Sequence, residues 1–368
     1  MSMKNEKRVR LLIITPSLAC GGSEKFVSLV CNHINIDKFS VCLLIINNAN
    51  SFHKITNPAV ELIDLKKNRV LFSLPAIKKS VKNFKPDIIF STANHLNLYL
   101  TIFKNQFDKN IQFIAREASI VSINSRQAKM PALYNRLIKK YYNRFDCIIC
   151  QSVYMQQDLV KHYYIDADKT IVIHNATPEV LDKPLQQPKQ TTEPLYKFIT
   201  IARLSEEKGI ERLIHAVGLL SIPFKYYIIG EGNKRKDLQK LINELHLQDK
   251  VFLVGEKTEP FSGMEDADLF LFGSYYEGFP NVLLEAGAHG IPVIAFNVPG
   301  GIAEIIMEEE NGLLVEDNDI IAFAAAINKG LAKKFNGNAI IEITKKRFSV
   351  NNIIPAIEKL FLKLTVNK

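Results

Sequence analysis

The chain has 368 residues, of which 47% are hydrophobic and 23% charged, and a formal net charge of +9 at pH 7. This length suits two domains of ordinary size, and the apolar content is too high for a disordered chain. No apolar run approaches the ~18 residues of a membrane span, and five scattered cysteines are poor material for a disulfide framework, which favours a reducing cytoplasm.

The first predicted strand, "VRLLIIT", runs into a glycine pair, and the stretch has two interpretations. A basic start, an apolar run and Ser-Leu-Ala-Cys-Gly would suit an exported lipoprotein signal that ends at Cys20. The alternative is a buried strand followed by Gly21 and Gly22, which open the helix "SEKFVSLVCNHI". We favour the strand, because the apolar core "LLII" is short and is cut by Pro16. The glycines then serve either a tight turn or the close approach of an anion to helical amides.

Short β-branched runs alternate with amphipathic stretches along the rest of the chain. The runs are "SVCLLII", "VELIDL", "PDIIFS", "IQFIAR", "DCIICQS" and "TIVIHN", then "KFITIAR", "KYYIIG", "KVFLVG", "DLFLFGS", "IPVIAF" and "GLLVE". Continuous apolar runs are typical of parallel strands covered on both faces. They predict two doubly wound α/β domains, residues 1–180 and 197–345, joined by a Pro- and Gln-rich linker at 181–196. Ligands are then expected at strand ends, in a cleft between the domains.

A pair of cysteines and an adjacent arginine and glutamate lie at the predicted strands of the first half. Cys147 and Cys150 form a C-x-x-C around Ile-Ile without a second pair, which predicts a buried strand and not a metal or redox site. Arg116 ends the strand "IQFIAR" and Glu117 follows it, and there they are either candidates for contact with a substrate or a local ion pair.

The first strand of the second half ends in the basic loop "IARLSEEKG". Arg203 offers a planar fork and Lys208 a mobile point charge, a combination suited to two neighbouring phosphates. The alternative is a solvated surface loop.

The segment "SYYEGFPNVLLEAGAHGIPVIAFNVPGG" is the most specific of the chain. Pro280 is placed as an early residue of a helix, with Glu277 in the loop ahead of it and Glu285 on its second turn. The first amides of the helix, at Phe279, Asn281 and Val282, are available to a ligand. The two carboxylates suit vicinal hydroxyls of two sugar rings, or they complement the helix dipole.

Together these stretches resemble the retaining family 4 glycosyltransferases of GT-B fold. The motifs that carry the resemblance are "GGSEKFVSLV", "IARLSEEKGIERLIHAV", "IIGEG", "VFLVG", "SYYEGFPNVLLEAGAHGIPVIA" and "GGIAEII", and the specific one is E-x7-E. The match covers nearly all of the second half, but only the glycine loop and scattered strand ends of the first. It implies a GT-B fold, two Rossmann-like domains facing across a cleft, and sugar transfer from a nucleotide diphosphate donor, commonly a UDP-sugar, without a metal or other cofactor.

The resemblance also implies roles for the residues above. Arg203 and Lys208 would bind the diphosphate, Glu285 the ribose and Glu277 the transferred sugar, with Gly21 and Gly22 approaching the phosphates from the first domain. An N-domain histidine is expected as a catalytic group; the candidate is His95, with Asn94 and Asn97 as alternatives. Arg116 and Glu117 are candidates for the acceptor side. Residues 346–368 resemble the terminal helix that crosses back to the first domain, or they are a simple end helix.

The positive charge is concentrated in the first half, since residues 1–180 hold 25 Lys and Arg against 13 Asp and Glu. Residues 126–144 carry six cations, no acid and five apolar side chains at helical spacing. A basic amphipathic helix indicates contact with an anionic membrane surface, although an ordinary surface helix is the alternative. We therefore expect a cytoplasmic enzyme, peripheral on the inner face of the membrane, acting on a lipid-linked or glycan acceptor of bacterial surface polysaccharide.

Two other classes compete with a glycosyltransferase. A nucleic-acid-binding protein would suit the basic charge, but no reader motif is present and the second half is acidic, so no nucleic acid is expected as a partner. Another GT-B enzyme, such as a sugar-nucleotide 2-epimerase, fits the combination of R-x4-K and E-x7-E less well.

Overall fold

The computed structural model describes residues 8–177 and 195–366. Contacts divide these residues into two units, one made of 8–177 with 350–366 and the other of 195–349. The predicted linker, 181–196, lies outside the described residues except for its last two positions.

The first unit is built on a sheet of seven parallel strands in the order β3-β2-β1-β4-β5-β6-β7. Its strands are β1 (Val9–Thr15), β2 (Phe39–Ile45), β3 (Glu61–Asp64), β4 (Ile88–Thr92), β5 (Gln112–Arg116), β6 (Cys147–Cys150) and β7 (Thr170–Val172). Its first six helices are α1 (Gly22–His33), α2 (Leu74–Phe84), α3 (Asn94–Ile102), α4 (Val121–Asn124), α5 (Pro131–Tyr141) and α6 (Val153–Tyr163). The segment read as a strand or a signal is therefore β1, which pairs with both β2 and β4.

The second unit repeats the same topology with six parallel strands in the order β10-β9-β8-β11-β12-β13. They are β8 (Tyr196–Ile201), β9 (Phe224–Ile229), β10 (Val251–Gly255), β11 (Leu269–Phe272), β12 (Val293–Asn297) and β13 (Gly312–Glu316). The helices are α7 (Ile210–Gly218), α8 (Arg235–Glu244), α9 (Asn281–Ala288), α10 (Ile302–Ile305), α11 (Ile320–Lys333) and α12 (Gly337–Phe348). Both units have the Rossmann strand order, so the predicted α/β fold class is confirmed.

The last helix, α13 (Val350–Val366), packs with the first unit. The centroid of its Phe361 ring lies 6.2 Å from that of Phe39 and 5.4 Å from that of Phe90. The backbone N–H of Asn35 also donates to the Glu358 carboxylate at 2.7 Å. The helix therefore fills part of the core of a sheet that the chain left more than 170 residues earlier.

The C-x-x-C motif lies in the buried strand β6. Cys147 and Cys150 are both buried in this strand, as predicted. Burial raises the pKa of the Cys147 thiol to about 11 and raises that of Cys150 as well, which keeps both thiols protonated at neutral pH. They are core residues.

Candidate functional site

Each sheet has a topological switch point, where the strand order reverses and the loops after two neighbouring strands diverge to opposite faces. In the second unit it lies between β8 and β11. Ligands of doubly wound sheets bind outside the carboxyl ends of the strands at such a point. The loops in question are 202–209, with Arg203 and Lys208, and 273–280, with Glu277. Two motifs separated by about seventy residues thus come together within one unit.

Two glycines let these loops touch. Gly209 has a left-handed backbone, with φ of +54°, and a Cβ there would lie 2.1 Å from the carbonyl oxygen of Gly273. A Cβ on Gly273 would in turn lie 2.6 Å from the carbonyl oxygen of Gly209. Any larger side chain would push the loops apart, so both positions require glycine.

Lys208 and Glu277 form an ion pair across this contact. The Lys208 Nζ donates to Glu277 Oε1 at 2.5 Å, and the Ser274 hydroxyl donates to the same oxygen at 3.1 Å. Both side chains are about one-fifth exposed. No hydrogen bond to Glu277 Oε2 is found among the described residues, and Lys208 has further ammonium protons to donate. The pair therefore offers one cationic donor and one carboxylate acceptor side by side.

Arg203 is placed at the rim of the same loop. Its side chain is 73% exposed and lies 3.9 Å from Glu207 between Nη1 and Oε1. Burial opposes ionisation of Glu207, but hydrogen bonds from Ser205 and its own amide, with the charges of Lys208 and Arg203, lower its pKa overall. Among the described residues, no ion pair or hydrogen bond joins Arg203 to Glu277, and the exposed Arg203 guanidinium is accessible to an anion.

The start of α9 is held by the loop that follows β12. The Glu277 amide donates to the Pro299 carbonyl at 3.0 Å, and the Gly301 amide donates to that of Gly278 at 3.0 Å. Gly300 has a φ of +131°, and a Cβ there would lie 1.5 Å from the Glu277 carbonyl oxygen. The "VPGG" stretch therefore supports the backbone of Glu277.

The helix begins one residue later than predicted. Pro280 is its N-cap, with extended backbone, and Asn281 is the first helical residue, followed by Val282; Glu285 is on the second turn. A ψ of 112° at Pro280 keeps that residue out of the helix. The Phe279 side chain is buried, 5.6 Å from Phe348 between ring centroids, which leaves its backbone for any ligand contact.

The sequence analysis did not identify Arg212, which binds the backbone of the loop at 273–280. It lies on α7 and is 3% exposed, and its Nε donates to the Gly273 carbonyl at 2.7 Å and its Nη2 to that of Ser274 at 2.5 Å. Its Nη1 donates to Asp317 at 2.6 Å. The guanidinium carbon also lies 4.1 Å from the centroid of the Tyr275 ring. An arginine in an amphipathic helix gives no signal in the sequence that it is buried.

In the first unit the switch point lies between β1 and β4. Gly21 caps α1 with an extended backbone, with a φ of −166° that any residue adopts, so the tight-turn alternative does not apply there, and Gly22 is the first helical residue. His95 is exposed on the first turn of α3, and desolvation lowers its pKa. The two predicted elements, the glycine loop and the histidine, thus follow the two strands of the switch point.

The alternatives to His95 have structural partners. Asn97 is completely buried, accepts from Ser91 at 2.7 Å and donates to Glu117 at 2.8 Å. Asn94 is also buried and donates to Ser119 at 3.1 Å. Of the three, only the His95 side chain is exposed.

Arg116 and Glu117 are completely buried. The Arg116 guanidinium stacks 3.6 Å above the ring of Phe26 and donates to Asn175. Glu117 Oε1 accepts from Asn97 and lies 3.1 Å from the hydroxyl of Tyr142. Neither side chain reaches the surface of the unit, and a role at the acceptor stays a prediction.

Glu117 gives a pH dependence of stability. Burial raises its pKa to about 7, despite the hydrogen bonds from Asn97 and Tyr142. Because the folded pKa lies above the unfolded one, the stabilisation is present below about pH 4.5 and is lost as the pH rises through about 7. We expect the thermal midpoint to fall across this window and Glu117→Gln to flatten the fall. The exposed Glu259→Gln is the control; parallel curves for all three proteins would refute the assignment.

Neither a membrane span nor a metal cluster is found in the described part of the chain. No helix of residues 8–177 and 195–366 is long and apolar enough to cross a bilayer. No group of three or more His, Cys, Asp and Glu in these ranges is arranged to hold a metal ion.

Two parallel sheets of Rossmann order are the architecture of the GT-B fold, which solved structures of glycosyltransferases share with this chain. The sequence profile of Glycosyltransferase Family 4 matches residues 21–179, and that of Glycosyl transferases group 1 matches residues 182–347. The chain belongs to glycosyltransferase family 4 and is a hexosyltransferase.

One relative and two solved structures illustrate the likeness. The N-acetylgalactosamine-N,N'-diacetylbacillosaminyl-diphospho-undecaprenol 4-alpha-N-acetylgalactosaminyltransferase of Campylobacter jejuni is 30% identical over 84% of this chain and 87% of its own length. The apo lipopolysaccharide outer core galactosyltransferase WaaB has a TM-score of 0.78 at 18% identity, over 96% of this chain and 100% of that one. Anabaena HepE in complex with UDP has a TM-score of 0.76 at 19% identity, with the same coverage.

Proposed function

We propose that the chain transfers a hexose, with retention, from a nucleotide diphosphate sugar to a lipid-linked or polysaccharide acceptor in bacterial surface glycan synthesis. The observation that carries the proposal is the Lys208–Glu277 pair at the switch point of the second unit. A cation for the leaving phosphate and a carboxylate for sugar hydroxyls are what such a transfer needs at adjacent positions.

The diphosphate, the transferred sugar and the ribose of the donor each contact different residues around this pair. Lys208, with the exposed Arg203, meets the diphosphate, and both stabilise the negative charge that develops as the glycosidic bond breaks. Glu277 accepts from the hydroxyls of the transferred sugar and so orients it. Glu285 accepts from the ribose, and the amides of Phe279, Asn281 and Val282 lie nearby at the start of α9. In the first unit, Gly21 and Gly22 are proposed donor-binding residues, and His95 is the proposed catalytic group.

A uridine nucleotide and a lipid-linked acceptor are the specific choices we propose. The first is supported by the UDP bound to Anabaena HepE, and the second by the diphospho-undecaprenol substrate in the name of the Campylobacter relative. The donor is made in the cytoplasm, so we place the reaction there, with residues 126–144 against the inner face of the membrane.

The test is a panel of nucleotide sugars, read by thermal shift, donor hydrolysis and product formation. We expect UDP and one UDP-sugar to raise the midpoint and donor turnover to persist in EDTA, because Arg203 and Lys208 supply the positive charge. Loss of turnover in EDTA would refute metal independence. No shift with any nucleotide diphosphate would refute the site, and interconversion of the donor sugar without transfer would instead identify a 2-epimerase.

A further inference from the structure

We propose that a second basic segment, residues 65–86, docks the first unit on an anionic phospholipid bilayer through the exposed side chains of Leu71 and Phe72. The inference deepens the proposed function, since it rests on an acceptor presented at a membrane. It concerns a part of the chain distinct from residues 126–144.

All the charged side chains of the segment are positive. It carries seven Lys and Arg residues and no Asp or Glu. All seven are exposed: Lys66, Lys67, Arg69, Lys78, Lys79, Lys82 and Lys85. Within the described residues none of them pairs with a carboxylate. Unpaired surface cations at this density attract a surface of anionic headgroups and lose that attraction in salt.

Leu71 and Phe72 are exposed apolar residues within this basic segment. They are 65% and 63% exposed, although they are adjacent and strongly apolar. Their turn is firmly held, because the Tyr99 hydroxyl donates to the Leu71 carbonyl at 2.9 Å and the Ser73 amide donates to that of Val70 at 3.0 Å. A fixed backbone thus presents two side chains that water solvates poorly.

A bilayer is the occupant that satisfies both features. Its headgroup layer takes the cations while the boundary of its acyl chains takes a leucine and a phenylalanine. A nucleic acid would use the cations and could stack on the phenylalanine, but it has no place for the exposed leucine. An interface between two copies of the chain would bring two sets of seven cations together, which like-charge repulsion opposes.

The helix α3 places this segment beside the basic helix identified in the sequence. Tyr99 of α3 contacts the turn of Leu71, while Thr101 of α3 donates to the Tyr141 carbonyl at the end of α5 at 2.8 Å. Residues 65–86 and 126–144 therefore flank one helix. The second of them also exposes apolar side chains, those of Met130 and Leu133.

The same turn walls a cavity at the switch point of the first unit. Its volume is about 330 Å³, and Lys67, Arg69 and His95 are among its lining residues. Docking through Leu71 and Phe72 would therefore bring the bilayer to the side of the unit that carries the proposed catalytic histidine. A lipid-linked acceptor would reach this position without leaving the membrane.

The experiment is flotation of the full chain with vesicles of phosphatidylglycerol and phosphatidylethanolamine, compared with vesicles of phosphatidylcholine alone. We expect salt-sensitive binding to the anionic vesicles only. The double variant Leu71→Ser, Phe72→Ser should weaken binding about tenfold or more, since the apolar contribution is lost. Lys66→Gln with Lys67→Gln and Arg69→Gln should weaken it at low salt and leave a salt-independent remainder.

The matched control is Leu219→Ser with Ile321→Ser, two similarly exposed apolar residues of the second unit, which should bind as the wild type does. Unchanged binding of the Leu71–Phe72 variant, with an unchanged thermal midpoint, would overturn the proposal. The proposal would also be overturned if vesicle binding were lost only in the double variant Met130→Ser, Leu133→Ser. It would equally be overturned if the wild type self-associated and the Leu71–Phe72 variant abolished this self-association but still floated with the vesicles. A wild-type chain that binds UDP but no vesicle would refute this inference and leave the proposed function standing.

Discussion

Replacing Lys208 with methionine is expected to lower kcat by roughly 100- to 1,000-fold, the usual effect of removing one donor that faces developing negative charge. Methionine keeps the length of the side chain and removes its charge. The Glu277 carboxylate, which Lys208 contacts at 2.5 Å, would also lose its counter-ion. We expect the affinity for UDP to fall as well, because the ground-state diphosphate meets the same cation. The measurements are donor turnover and UDP binding by calorimetry.

The control for this variant is Lys329→Met. Lys329 of α11 also pairs with a glutamate, Glu309, at 2.7 Å, but both side chains are more than half exposed, and loss of the pair should leave kcat unchanged. Glu277→Gln separates the two halves of the site, since it keeps the hydrogen bond from Lys208 while it removes the negative charge. We expect this variant to bind UDP normally and to turn over slowly. A Lys208→Met enzyme within tenfold of the wild type would contradict the role given to this pair.

The sequence was sufficient to predict the fold, and to place three candidate site residues at one edge of the second sheet, for one physical reason. Most of the thirteen strands are buried parallel strands, which appear as continuous apolar runs, and the runs end at the edge of a sheet where ligands bind. Arg203, Lys208 and Glu277 follow two strands that are neighbours at the switch point. Knowledge of strand ends was therefore enough to group them, before any side-chain position was known.

The features that the sequence did not predict depend on contacts between distant segments. Arg116 and Glu117 are, from the sequence, either candidates for contact with a substrate or a local ion pair, but in the structure they are buried against Phe26 and Tyr142. Leu71 and Phe72 give no sign in the sequence that they are exposed, and the Tyr99 hydroxyl donates to the backbone of the turn that presents them. In each case the partner lies more than 20 residues away, beyond the reach of local periodicity.

Arg212 is the strongest example, and its removal has the second large effect that we expect. Arg212→Met should lower the free energy of unfolding by about 3–5 kcal/mol, because it leaves the carbonyls of Gly273 and Ser274 without donors and Asp317 without its buried partner. Arg235→Met is the matched control. Its ion pair with Glu231 has side chains that are 39% and 47% exposed, far more than the 3% of Arg212, so its loss should cost no more than about 1 kcal/mol.

The same contacts make Arg212 a positioning residue for the reaction. It lies four residues after Lys208, and its carbonyl partners lie three and four residues before Glu277, so it fixes the distance between the two loops. Arg212→Lys retains the charge, but one ammonium group cannot replace a fork that reaches Gly273, Ser274 and Asp317 together. For this variant, well below its thermal midpoint, we expect kcat to fall while UDP binding at the exposed Arg203 is partly kept. A merely structural arginine would leave kcat of the folded variant unchanged, and that result would show that the loops hold the Lys208–Glu277 pair without it.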